Sequence, residues 1–258
     1  MKYLIKKYPV LLFSIANLIT SIFMVLCFSF SDIPQWSPAL YAIIIVIVVK
    51  GKTGLLELFK RLYFRKEFVK WNIVALVLPI SVCWLSYIMF SYIEYKQIVP
   101  FGINHTLQDY CLMLLFVILG SIGEEIGWRG FLLPQLHKTH SLFVSSVIIG
   151  LLWGVWHLNI QLVFLVFITY LGLVLMFSFI TSWLYEKTNG NIISCIILHS
   201  TINICSTLFF EVIVLSDRGL SQEKFQAMFL ILLIFFAIPS IFIVKNMLSK
   251  SSDTKTSD

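Results

Sequence analysis

Three short groups of residues in this chain carry acid–base or hydrogen-bonding side chains while embedded in apolar sequence. The first is Gly123-Glu124-Glu125-Ile126-Gly127-Trp128-Arg129-Gly130. Glu125 and Arg129 stand four apart, so on a helix they share a face and can pair. Glu124 then points about 100° away and is left without that partner, free to serve as a general base. The plainer alternative is a cytoplasmic helix end with solvated charges. The second group is Trp153-Gly154-Val155-Trp156-His157, where one histidine ends an apolar run. It reads either as a working imidazole or as a satisfied core residue beside an aromatic belt. The third is His199-Ser200-Thr201-Ile202-Asn203. Its spacing sets His199 and Asn203 on one face, aimed at a common point or acting as hydrogen-bonding glue between helices.

The elements that must hold these groups belong to a membrane protein. Of 258 residues, 59% are hydrophobic and 12% charged, about half the charged share of a soluble domain. A soluble enzyme could not hide that apolar surface, and a disordered chain would need the opposite balance. The net charge of +6 is spread along the chain, so no nucleic-acid partner is expected. The fold class is therefore all-α, a polytopic membrane helix bundle of about eight transmembrane helices. A core ~30 Å thick takes about 20 helical residues. The apolar runs are 9–30, 36–49, 71–93, 109–122, 142–157, 162–185, 192–210 and 225–244. They are continuous, unlike the alternating segments of a membrane barrel. The fourth is expected to continue through Glu124 toward Leu136, which takes its carboxylates to membrane depth. Charge there costs at least ~2.5 kcal/mol per group, so each needs a reason.

Sixteen of the nineteen lysines and arginines fall on the side of the N-terminus if the chain crosses eight times. That asymmetry puts both termini in the cytoplasm. The first run is too long for a signal-peptide core and is read as an anchor. The expected organisation is 1–108 as N-terminal transmembrane helices, 109–207 as the functional core, 208–245 as the last helix with its preceding loop, and 246–258 as a disordered cytoplasmic tail. Within the first part, 51–70 forms a basic amphipathic loop in which Leu55, Leu58, Phe59 and Leu62 alternate with Lys60, Arg61, Arg65 and Lys66. Two readings stand for it: a segment lying on anionic lipid of the inner leaflet, or a solvated loop that enforces topology. Gly120, Gly123, Gly127 and Gly130 offer a small face for close helix approach. The five cysteines match no metal or redox spacing and read as buried hydrophobes.

Taken together and in order, the three groups resemble the CPBP family, the CAAX protease and bacteriocin-processing (Abi) intramembrane proteases. Its motifs are Glu-Glu-x-x-x-Arg, Phe-x-x-x-His and His-x-x-x-Asn (or Asp). Here they stand as Glu124-Glu125-Ile126-Gly127-Trp128-Arg129, Trp153-Gly154-Val155-Trp156-His157 and His199-Ser200-Thr201-Ile202-Asn203. The departure is Trp153 in place of the usual Phe, and the resemblance covers roughly 109–207.

The resemblance implies endoproteolysis of membrane-associated proteins or peptides inside the bilayer. Peptide hydrolysis needs an activated water, an oxyanion stabiliser and a protonated leaving amine. On this reading Glu124 activates the water with help from His157, His199 and Asn203 donate to the oxyanion, and the Glu125–Arg129 pair fixes the helix. No cofactor is required. A zinc variant remains open, in which Glu124, His157 and His199 would supply three ligands and water the fourth. In bacteria, peptide maturation or bacteriocin self-immunity are the implied tasks, and the expected setting is the bacterial plasma membrane. Two other readings stand beside the enzyme: a non-catalytic immunity or regulatory scaffold of the same fold, and a small proton-coupled transporter.

Overall fold

The computed structural model describes residues 2–28, 35–99, 106–157, 164–217 and 221–253. Among them it is helical, with no strand. The helices are α1 (Lys2–Lys7), α2 (Pro9–Phe28), α3 (Ser37–Phe59), α4 (Val69–Tyr95), α5 (Leu107–Glu125), α6 (Leu133–Leu136), α7 (Leu142–Trp156), α8 (Phe164–Lys187), α9 (Ile193–Asp217) and α10 (Gln222–Asp253). Each of the eight apolar runs lies on one of them. Among the described residues, six spans are long and apolar enough to cross a membrane, namely Pro9–Cys27, Ser37–Leu62, Lys66–Tyr95, Leu107–Leu136, Phe164–Lys187 and Gln222–Ser249. Leu142–Trp156 and Ile193–Phe209 are shorter apolar helices.

The fourth run continues as expected. A wider π-helical segment, Ile126–Leu132, joins α5 to α6 without a break, and all seven of its residues are buried. The carboxylates of Glu124 and Glu125 therefore sit inside a 30-residue span rather than at its end. The N-terminus of α5 is set by Thr106. Its hydroxyl accepts from the Asp109 N–H at 3.2 Å, and the Asp109 carboxylate accepts from the Thr106 N–H at 3.0 Å. This reciprocal cap satisfies two amides that the helix cannot.

Around that span, α8 packs between α7 and α10, α9 lies along α4, and α3 runs against α5 and the π-helical segment. The glycines are what allow this last approach. A Cβ at Gly123 would come within 2.9 Å of the Gln35 carbonyl oxygen, and one at Gly127 within 2.6 Å of the Pro38 carbonyl carbon. Small residues at such crossings let backbones meet, and van der Waals contact is then maximal.

The basic stretch 51–70 is not the free amphipathic loop that its alternation suggested. It is helical as far as Phe59, passes through two short 3₁₀ turns (Lys60–Leu62 and Lys66–Phe68), and is docked on protein. Arg61 Nη1 donates to the Tyr185 hydroxyl at 2.5 Å and the Gly190 carbonyl at 3.1 Å. The Ile192 N–H donates to the Arg61 carbonyl, and Asn191 Nδ2 to that of Tyr63. Leu58 and Phe68 are buried, so part of the apolar face is spent on the protein. The helix bends at Gly51, whose φ of 64° and ψ of −150° belong to a region that only glycine enters readily. At the other end, α10 runs to Asp253, and Met247 is buried. Residues 246–253 are thus helical rather than disordered, and the rest of the expected tail lies outside the described residues. Cys83 and Cys195 are buried as read, whereas Cys27 and Cys111 are exposed.

Gly127→Val should destabilise the protein by about 1–3 kcal/mol, because the new side chain meets backbone that cannot yield. A thermal unfolding midpoint in detergent equal to that of wild type would contradict the close α3 approach.

Candidate active site

The π-helical segment and the last turn of α5 bring Glu124, Glu125 and Arg129 into the core, each at most 1% exposed. The expected Glu125–Arg129 pair forms, with Arg129 Nη1 donating to Glu125 Oε1 at 3.1 Å. It does not stand alone. The same carboxylate oxygen accepts from His199 Nδ1 at 2.9 Å, tying α9 to α5. Arg129 Nη2 donates to the Thr181 hydroxyl on α8, and that hydroxyl passes its own proton to the Phe177 carbonyl at 2.8 Å. The guanidinium also lies over the Trp153 ring, 4.5 Å from its centroid. A buried guanidinium is tolerated only with such a set of partners.

Glu124 turns the other way, as the helical spacing requires. Its Oε2 accepts from the Trp153 indole N–H at 2.6 Å. Its Oε1 is buried without a hydrogen-bond donor among the described residues. A carboxylate oxygen in that position is costly until a donor reaches it.

The remaining expected residues lie on the wall of a cavity of about 220 Å³. His157, His199 and Asn203 line it, together with Trp153 and Tyr170. His157 follows the last turn of α7, and its Nδ1–H donates to the Trp153 carbonyl at 3.0 Å, so Nε2 is its remaining nitrogen. The Nδ1 of His199 is spent on Glu125, which likewise leaves Nε2 for the cavity. Ser21 of α2 steadies this end of α7 by donating to the Trp156 carbonyl at 2.5 Å. Apart from Ser206, the rest of the wall is apolar, including Leu173, Phe177 and Phe229.

The site therefore has two layers. Glu124, Glu125 and Arg129 form the inner one and do not line the cavity, whereas His157, His199 and Asn203 form the outer one. Trp153 belongs to both, since its indole touches the Glu124 carboxylate and its ring meets His199 edge-on at 5.2 Å. Among the described residues no three His, Cys, Asp or Glu side chains are gathered to hold a metal ion. The conditional zinc set of Glu124, His157 and His199 does not fit that geometry. Sequence reasoning missed Thr181 and the donor role of Trp153. The only hints were a hydroxyl in an apolar run and a tryptophan where the pattern expects phenylalanine.

Trp153→Phe should keep the ring packing and strip the Glu124 carboxylate of the indole donor it has among the described residues. The expected loss is about 1–3 kcal/mol of stability, read from thermal unfolding. An unchanged midpoint would mean that the indole N–H does not hold Glu124.

Comparison with known proteins gives two partial matches. Residues 106–205 match the family described as type II CAAX prenyl endopeptidase Rce1-like. The chain is also 29% identical to a protein of Methanococcus maripaludis named CAAX prenyl protease 2, over 37% of this chain and 40% of that protein. The match thus spans about two fifths of the length of that curated relative. The matched stretch holds all six expected site residues, from Glu124 to Asn203. Over residues 106–205 the chain is thus similar to Rce1-like CAAX prenyl endopeptidases, and the family match is confined to that segment.

Proposed function

We propose that this chain is an intramembrane endopeptidase that hydrolyses peptide bonds of membrane-associated proteins or peptides by a glutamate-activated water. The observation that carries the reading is the Glu124 carboxylate, buried, held by Trp153 at one oxygen and bare at the other. Water is the donor that such an oxygen accepts without a change of fold, and a water held there faces a base. In the proposed reaction this water gives its proton to Glu124 and its oxygen attacks the carbonyl carbon of the substrate. Negative charge develops on the carbonyl oxygen, where His199 Nε2–H and Asn203 Nδ2 donate. In this role His199 carries a proton on each ring nitrogen, Nδ1–H donating to Glu125 and Nε2–H to the oxyanion. The C–N bond then breaks, and Glu124 returns its proton to the leaving amine. His157, through Nε2, orients the water.

The geometry supports a metal-independent course, since the donor set for zinc is not assembled. The apolar cavity wall supports a substrate with apolar groups beside the scissile bond. The relative's name speaks of prenylated CAAX proteins. In the bacterial plasma membrane, the setting favoured here, an unprenylated membrane peptide takes that place. The distribution of basic residues supports cytoplasmic termini.

Glu124→Gln should lower cleavage by at least about a hundredfold while the protein stays folded and inserted. The measurement compares terminal peptides of small membrane-associated proteins in membranes carrying wild type or the variant at equal expression. Identical peptide sets, with a cellular phenotype still dependent on the protein, would favour the regulatory scaffold instead. Cleavage should also survive chelation. Loss with a chelator and recovery on adding zinc would restore the metal reading.

A further inference from the structure

A second cavity, of about 300 Å³, shares no lining residue with the first. Four cationic side chains from different parts of the chain line it: Lys6 on α1, Lys50 on α3, Arg61 in the first 3₁₀ turn, and Lys138 just beyond α6. One carboxylate, Glu57, opposes them. Their existing contacts are modest. Lys50 Nζ lies 2.6 Å from Glu57 Oε2 in a pair that is half exposed, and Lys138 Nζ donates to Gln135 at 2.7 Å. Arg61 is held by Tyr185 and Gly190. Such an exposed ion pair contributes little to stability, so three net positive charges around one hollow are not explained by packing.

Their levels along the helices agree. Lys6 precedes the apolar helix α2 by three residues, Lys50 sits at the Gly51 bend of α3, and Lys138 follows the end of the Leu107–Leu136 span by two. In the sequence all three stand beside the end of an apolar run. Below them the cavity is walled by Ile45, Val46, Val49 and Phe131. Cations above an apolar wall suit an amphiphile with a phosphate at its head. A free phosphate compound would meet the same cations but make no use of the wall.

We propose that this cavity binds the phosphate of an anionic phospholipid, with the start of its acyl chain against the apolar wall. The bend at Gly51 is what sets Lys50 above that wall, and the floor at Gly130 and Phe131 is the π-helical segment that carries Arg129. The lipid contact expected over the whole of 51–70 thus narrows to one pocket lined from α1 to the residues just beyond α6.

The test is native mass spectrometry of the full chain in detergent, with phosphatidylglycerol, phosphatidylcholine or inorganic phosphate added. Wild type should retain phosphatidylglycerol roughly thirtyfold better than phosphatidylcholine, a preference of the size that two interfacial lysines supply. The double variant K6Q/K138Q removes two exposed side chains, unfolds with wild type, and should lose most of that preference. K2Q/K245Q, which removes the same charge elsewhere, should keep it. Glu57→Gln should raise retention severalfold. Equal preference in all variants would overturn the proposal. So would inorganic phosphate displacing the lipid at equal concentration, which would assign the cavity to a soluble phosphate compound.

Discussion

The buried Glu125–Arg129 ion pair is the constraint to which the rest of the bundle answers. Two charges taken out of water cost several kcal/mol each unless further hydrogen bonds finish their coordination. Here further partners come from three neighbouring helices, His199 from α9, Thr181 from α8 and the Trp153 face from α7, while Glu125 Oε2 and Arg129 Nε have no hydrogen-bond partner among the described residues. The requirement works in both directions. The pair needs those helices in place, and its bonds to α8 and α9 tie them to the α5 span. The bare face of α5 is used just as fully, since its glycines admit the start of α3 to backbone contact.

A second consequence follows from the π-helical turn. Such turns carry an extra residue and recur at functional sites because they shift side chains off the regular helical register. Here the turn begins directly after the two glutamates and contains Arg129. Glu124 and Glu125 keep the angular separation of an ordinary helix and so serve different partners, one facing the indole of Trp153 and the other the guanidinium. Trp153 completes the division of labour. Its N–H holds one carboxylate, its face supports the cation that neutralises the other, and its edge contacts His199.

Much of this was readable in the amino-acid order, and what was not has a common cause. Apolar runs of membrane length predict helices because the bilayer admits little else, and within the described residues each of the eight runs lies essentially on a helix. The pairing of Glu125 with Arg129 was readable because both lie on one helix, where spacing fixes the angle. The bonds of Glu125 to His199 and of Glu124 to Trp153 join residues 74 and 29 apart. One sequence carries no register between helices, so neither could be foreseen, and His199 had been assigned to the oxyanion without its link to Glu125. The stretch 51–70 shows the same limit. Alternation of leucine with lysine and arginine reveals an amphipathic face but not whether protein or lipid covers it, and Leu58 has found protein. The helical end of α10 was hidden for a different reason, because polar composition outweighed the anchoring of Met247.

The order of the ion pair's partners along the chain has a consequence for biogenesis. Trp153, Thr181 and His199 all lie C-terminal to α5, so the ribosome has not yet made them when the two glutamates and Arg129 enter the bilayer. At ordinary translation rates that interval lasts on the order of seconds, and each unpartnered charge carries roughly 2.5–3.5 kcal/mol of insertion cost. The stretch already available is the start of α3, whose backbone fits the glycine face of α5. The N-terminal helices can thus act as a built-in chaperone, gripping a charged segment from one side until the later helices arrive to close the other.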